Sequence, residues 1–298
     1  MKKLHILSPS DTSGANANLW QDYWVKKDLE REFASLGYTI VSNNGDIDLF
    51  LFGTWSPHER FLSAPYKFMW FFSHPRLLTE PKWMSFQKQF RHIWTVSKKL
   101  TLEPSFFSVP VSLLIGGTSK TYSPPSKDPE YDIVLMGNAS KPRRVSIMKE
   151  LIKKKKYKIM IAGGGWNKKL TTEELDRITY VPYFPNEQYS EFYNKGKVTF
   201  FAGHPDMLEY GMVPPRVYDI YACSDCLCMC ELNAGLKEIS KYITNFVYDD
   251  ELICKIDYYI QNRDESLTIS QKVREAVYGN TLKIVAAEMN KEIKQCHP

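Results

Sequence analysis

Short, wholly apolar runs alternate along this chain with longer amphipathic ones. LHILSP is an apolar run of strand length. After a loop rich in Ser, Asp, Gly and Asn, the segment LWQDYWVKKDLEREFASLG places Leu19, Tyr23, Val25, Leu29 and Phe33 near helical spacing, with Gly37 as its C-cap. YTIVSN and IDLFLFGTW read as the second and third strands. Residues 67–72 read as a buried strand that ends in Ser73-His74-Pro75, followed by a helix over 79–89 and a strand over 92–96. Strands alternating with helices predict an α/β domain on a parallel sheet. Ligands of such sheets bind at the carboxyl ends of the strands, where the first loop and His74 fall.

Between 116 and 129 the pattern stops, and Pro, Ser, Gly and Lys dominate, as in a linker. A second α/β unit follows. YDIVLMGN is a strand ending in glycine, and ASKPRRVSIMKELIKKKK is a loop and helix with Pro142 at its start and Arg143 and Arg144 in its first turn. YKIMIAGGGW is a strand with a glycine turn, and ITYVPYFPNEQYSEFYNKGKVTFF gives strand, aromatic-proline loop, helix and strand. Four C-terminal helices close the chain. The expected domains are 1–118 and 126–278, with a last helix in 279–298 packing back on the first domain.

GHPDMLEYGMVPPRVYDIYACSDCLCMCELNAGL, residues 203–236, concentrates the unusual chemistry. Pro214 and Pro215 sit where a helix would start, a position that tolerates proline. Arg216 and Asp219, three apart, share one face of that helix. A guanidinium at a helix N-terminus suits a phosphate, and an acid one turn deeper suits a sugar diol. The plainer alternative is an i,i+3 ion pair. Arg143 and Arg144 oppose the dipole of their helix, so they are either solvated or recruited for an anion. The glycines at 163–165 permit close backbone approach but match neither a P-loop nor a dinucleotide fingerprint. His74 is a candidate general base or hydroxyl ligand, or a loop histidine held by backbone.

Composition narrows this further. The 298 residues suffice for two domains, and 14% aromatics supply stacking surfaces. A net charge of +5 suits anionic ligands without implying nucleic acid. Cys223, Cys226, Cys228 and Cys230 lack the paired spacing of a zinc site, so buried thiols and no metal are expected. MKKLHILSPSD has too short an apolar run for a signal peptide, and no run approaches a membrane span, so a cytoplasmic protein is expected.

The order of these elements resembles a known family. DIVLMGNASKPRR, YVPYFPNEQYSEFYNKGKVTFF, DMLEYGMVPPRVYDIYAC, FFSHPRLLTEPKW and IWTVSKKL look like successive segments of the spore-maturation-protein-B-like, group 1 glycosyltransferases over about 70–278. Gly211 stands where many retaining members carry glutamate, and Ser224 where glycine is common, so stereochemical outcome is not carried over. The resemblance implies the GT-B fold, two Rossmann-like domains facing across a cleft. It implies transfer from a nucleotide sugar, a UDP-sugar by expectation, to a hydroxyl acceptor such as a surface glycan precursor, with no cofactor required. The alternatives are a silent nucleotide- or sugar-binding module, or an enzyme acting on modified DNA bases, with nucleic acid the less favoured partner. Arg216 and Pro215 would hold the diphosphate and Asp219 the ribose. Tyr183 and Phe184 would lie against the base, and Gly137, Asn138 and Arg144 along the diphosphate. His74 and Asp11, in the first loop, are the catalytic candidates.

Overall fold

The computed structural model describes residues 2–12, 21–52 and 62–296. Two parallel six-stranded sheets carry the fold. The first comprises β1 (Lys3–Leu7), β2 (Thr39–Ile40), β3 (Ile47–Phe52), β4 (Tyr66–Phe71), β5 (His92–Thr95) and β6 (Val111–Leu113), in the order β2-β1-β3-β4-β5-β6. The second comprises β7 (Tyr131–Met136), β8 (Ile159–Ala162), β9 (Thr179–Val181), β10 (Gly196–Phe201), β11 (Leu227–Glu231) and β12 (Asn245–Phe246), in the order β12-β11-β10-β7-β8-β9. Central strands of such sheets are covered on both faces, which explains why β3 (IDLFLF) and β11 (LCMCE) are buried at every position. In the second sheet the order in which strands are added reverses between β7 and β10, all strands remaining parallel. That reversal opens a crevice beyond their carboxyl ends.

The two halves interlock. The helix Leu282–Cys296 lays Leu282, Val285, Ala286, Met289 and Ile293 into the core of the first sheet, and the Tyr38 hydroxyl donates to Asn290 at 2.8 Å. Met207 and Met212, from the second half, are buried in that same core. The apolar alternation at Cys226, Cys228 and Cys230 puts all three in the interior, with the Cys228 and Cys230 sulfurs 3.8 Å apart. Among the described residues no cluster of His, Cys, Asp or Glu could hold a metal, and no helix is long and apolar enough to cross a membrane.

Two elements differ from expectation. The helix expected over 79–89 breaks into 3-10 turns at Pro75–Thr79 and Gln87–Gln89 around a short helix, Trp83–Phe86. Pro81 lies between the first 3-10 turn and the short helix, where its ring and missing N–H prevent the turn from running on into the helix. The first of the four expected C-terminal helices, in LKEISKYI, shrinks to Leu236–Ile239.

Candidate functional site

The crevice of the second sheet has a glycine floor. Gly137 follows β7 with φ +154°, and Gly163 follows β8 with φ +133°. They lie so close that a Cβ on Gly163 would sit 2.6 Å from the Gly137 carbonyl. Trp166 fixes this contact by donating its indole N–H to the Gly137 carbonyl at 2.8 Å. The Asn138 side chain accepts the Gly164 N–H at 2.8 Å, and its carbonyl accepts from Arg144 at 2.9 Å. The triple glycine, unspecific as a sequence motif, thus shares one surface with the predicted Gly137 and Asn138.

Above this floor stands Arg216, in the first turn of the helix Pro215–Cys223. One guanidinium nitrogen donates to the Met136 carbonyl at 2.8 Å, and another lies 3.5 Å from the Tyr189 hydroxyl. Its Nε is buried with no partner. The helix end itself offers little. Pro215 has no N–H, and that of Val217 goes to the Pro214 carbonyl at 3.1 Å. The side chain, more than the free amides, makes this an anion position.

Two more cations converge there. Arg144 is buried, and burial together with the neighbouring Arg216 charge lowers its pKa to about 10. Lys141, which precedes the helix Pro142–Lys153, donates to the Ala202 carbonyl beyond β10 at 3.2 Å. Burial, then Arg144 and Arg216, bring its pKa down to about 7, with Asp206 opposing. Among the described residues none of the three forms an ion pair with a carboxylate. Arg143, by contrast, pairs with Glu231 and Asp249 and is spoken for.

A cavity of about 280 Å³ opens beside Arg216, with Arg144 and Lys141 outside its lining. Gly137, Asn138, Tyr183, Phe184 and Arg216 line it, as do Gly163, Gly164, Asn186 and Tyr189. Gln21 and Trp24 close it from the first domain. Phe184 is held edge-on against Phe192 at 5.0 Å, whereas Tyr183 is exposed.

Asp219 and Pro215 sit elsewhere. Both line a separate, much smaller crevice beside the linker. One Asp219 oxygen accepts the Thr118 hydroxyl at 2.7 Å and the other the Gln21 amide at 3.1 Å. No ion pair joins Asp219 to Arg216 among the described residues. The ion-pair expectation for Asp219 is therefore not met, while each of its oxygens, holding one protein donor, keeps a further acceptor site of the kind a sugar diol would use. Burial raises its pKa to about 6, with the Thr118 hydrogen bond opposing.

The catalytic candidates also separate. His74 follows β4 in a left-handed conformation (φ 54°), and its ring lies 5.9 Å from that of His204, which follows β10. The pair therefore straddles the two domains. Burial lowers both pKa values. Asp11 instead closes a local turn. It takes the Ser8 N–H at 2.9 Å and Lys26 at 2.7 Å. Residues 13–16 of its loop lie outside the described residues. Lys141, His204, Asp206, Gln21, Trp24 and Tyr189 had no sequence signal, since each belongs to the site only through the packing of distant segments.

Comparison with known proteins agrees with the architecture. Residues 143–289 match the family described as glycosyl transferase-like. No curated protein sequence matches the chain. T4 phage BGT in complex with its UDP-glucose substrate superposes with TM-score 0.66 at 12% identity, over 98% of both chains. Sucrose-phosphate synthase from Thermosynechococcus elongatus gives TM-score 0.67 at 12% identity, over 99% of both. An alpha-glucosyltransferase in complex with UDP-glucose and DNA containing an abasic site gives 0.63 at 9% identity, over 98% of this chain and 99% of that one. T4 phage BGT has also been solved with UDP and Mn2+. With this fold across its length, the chain has GT-B architecture, and its residues 143–289 match the glycosyl transferase-like family.

Proposed function

We propose that this enzyme transfers a sugar from a nucleotide sugar, in our reading a UDP-sugar, to a hydroxyl acceptor. The observation that carries the proposal is the buried, unpartnered Nε of Arg216, beside Arg144 and Lys141 and over a glycine floor. Buried donors are normally satisfied, and three neighbouring cations without an ion-paired acid are costly unless an anion joins them. A diphosphate supplies that charge and those acceptors. Bound sugar nucleotides in fold neighbours support the same assignment. The order of elements further supports a member of the spore-maturation-protein-B-like type.

In this reading the diphosphate lies across Gly137, Asn138, Arg144 and Arg216, and the base lies against Tyr183 and Phe184. Leaving-group departure puts a further negative charge on the diphosphate. Arg216, Arg144 and Lys141 stabilise it with fixed cations, so we propose that no metal is required. His74, at the cleft, takes the acceptor proton. The acceptor oxygen then bonds the anomeric carbon, and the electron pair of the breaking bond leaves with the diphosphate.

For the acceptor we favour a glycan precursor. A modified base in DNA is the second reading, favoured by overlay along nearly the full length of enzymes solved with DNA or described as DNA-modifying. Transfer assays with a panel of nucleotide sugars test the function. Neither transfer nor hydrolysis of any donor would contradict it. Duplex binding that falls steeply with salt would shift the acceptor to DNA.

A further inference from the structure

In the second domain His204 caps the short helix Pro205–Glu209, whose first residues, Pro205 and Asp206, reach the cleft opposite His74. Among the described residues neither the His74 nor the His204 imidazole has a hydrogen bond to protein, although both backbone carbonyls accept one. Asp206 spends one carboxylate oxygen on the Met207 N–H at 3.0 Å, and the other is buried without a partner. A buried carboxylate oxygen with no donor is a costly arrangement. The mechanism proposed above does not use it.

The charged groups around these rings are few. His74 faces Asp206, Arg76 and Lys141, and His204 faces Lys141, His74, Asp206 and Arg144. Asp206 is the only acid in either set. A proton arriving on an imidazole here enters a field of cations. Desolvation and those cations already disfavour the imidazolium, and Asp206 alone opposes them.

We propose that Asp206 is the positioning residue for proton transfer: its free carboxylate oxygen, contributed by the second domain, holds and counter-charges the His74 imidazole, contributed by the first. The inference rests on the glycosyl-transfer reading and deepens it. During transfer the acceptor O–H proton moves to the imidazole nitrogen. The acceptor oxygen bonds the anomeric carbon, and the bond to the diphosphate breaks with its electron pair. The imidazolium that remains faces Asp206. Base and counter-charge come from different domains, so proton acceptance requires the cleft to be closed.

The test is the pH profile of kcat/KM, with UDP binding by calorimetry as an independent readout. The neutral imidazole is the active form, so kcat/KM rises as His74 deprotonates. Asp206→Asn removes the one group that raises the His74 pKa. Its acidic limb is expected at lower pH, with a plateau about tenfold lower and UDP affinity unchanged well below pH 7, where Lys141 keeps its proton in both proteins. Asp206→Glu should restore both the limb and most of the rate. Should the Asn variant not fold, Asp206→Ser carries the same expectations. His74→Gln should lose the limb and about 100-fold or more in rate. An unshifted limb in a folded Asp206→Asn enzyme overturns the proposal. So does a limb that survives in His74→Gln but vanishes in His204→Gln. Absence of UDP binding and turnover in the wild type would instead defeat the underlying function.

Discussion

The Thr118 hydroxyl donates to Asp219 at 2.7 Å, tying the interdomain linker to the helix that carries Arg216. The other Asp219 oxygen takes the Gln21 amide of the first domain, and Gln21 also lines the donor cavity. One buried carboxylate therefore joins both domains and the linker at the edge of the site.

That carboxylate sets a pH dependence of stability. Its folded pKa, raised to about 6, lies above its usual value of 3.8. The native state thus binds the proton more tightly than the unfolded state. Stability from this proton is fully present below the unfolded value and is lost as pH rises through about 6. In Asp219→Asn this loss is absent. The Tm of the variant relative to wild type should climb between pH 4 and 6.5, as followed by calorimetric melts. A constant difference across that range would contradict the assignment.

Lys141 sets a pH dependence of binding. Its pKa of about 7 should rise when a diphosphate neutralises Arg144 and Arg216 beside it. UDP affinity should then be highest below pH 7 and weaken by up to about tenfold per unit above it. Lys141→Met should bind more weakly at pH 6.5 and lose the slope. Titration calorimetry at several pH values reads both.

The glycine floor predicts a steric effect. A methyl at Gly163 meets the Gly137 backbone at 2.6 Å, and φ +133° already disfavours any side chain. Gly163→Ala should cost about 1–3 kcal/mol of stability and weaken UDP binding, since the floor must spread. Gly164→Ala, whose nearest neighbour would be the Asn138 side chain at 3.6 Å, is the matched control and should fold normally.

Metal removal tests the charge arrangement. If Arg144, Arg216 and Lys141 meet the leaving diphosphate, excess EDTA should leave most of the transfer activity in place. Loss of nearly all activity, restored by Mn2+, would assign that charge to a metal.

How much of this was legible in the sequence depends on range. The apolar runs of β3, β4, β7 and β11 announced two buried parallel sheets, because a strand covered on both faces has no polar side to show. The cavity lining at Gly137, Asn138, Tyr183, Phe184 and Arg216 followed from the order of elements. Asp219 could not be read in the same way. Its face on the helix was plain, but its partners Gln21 and Thr118 come from 198 and 101 residues away. Asp206 and His204 were hidden for the same reason, since their meeting with His74 exists only where two sheets abut. Asp11 looked available because an exposed loop acid gives no sign of the lysine, Lys26, that folds onto it.

The most direct test of the donor site is UDP binding by wild type and Arg216→Ala in parallel calorimetric titrations. The wild type should bind UDP saturably. A folded Arg216→Ala should bind about 10- to 100-fold more weakly, the worth of a buried charge-assisted contact. Equal affinity in the two proteins, or no binding by either, would contradict the donor site described here.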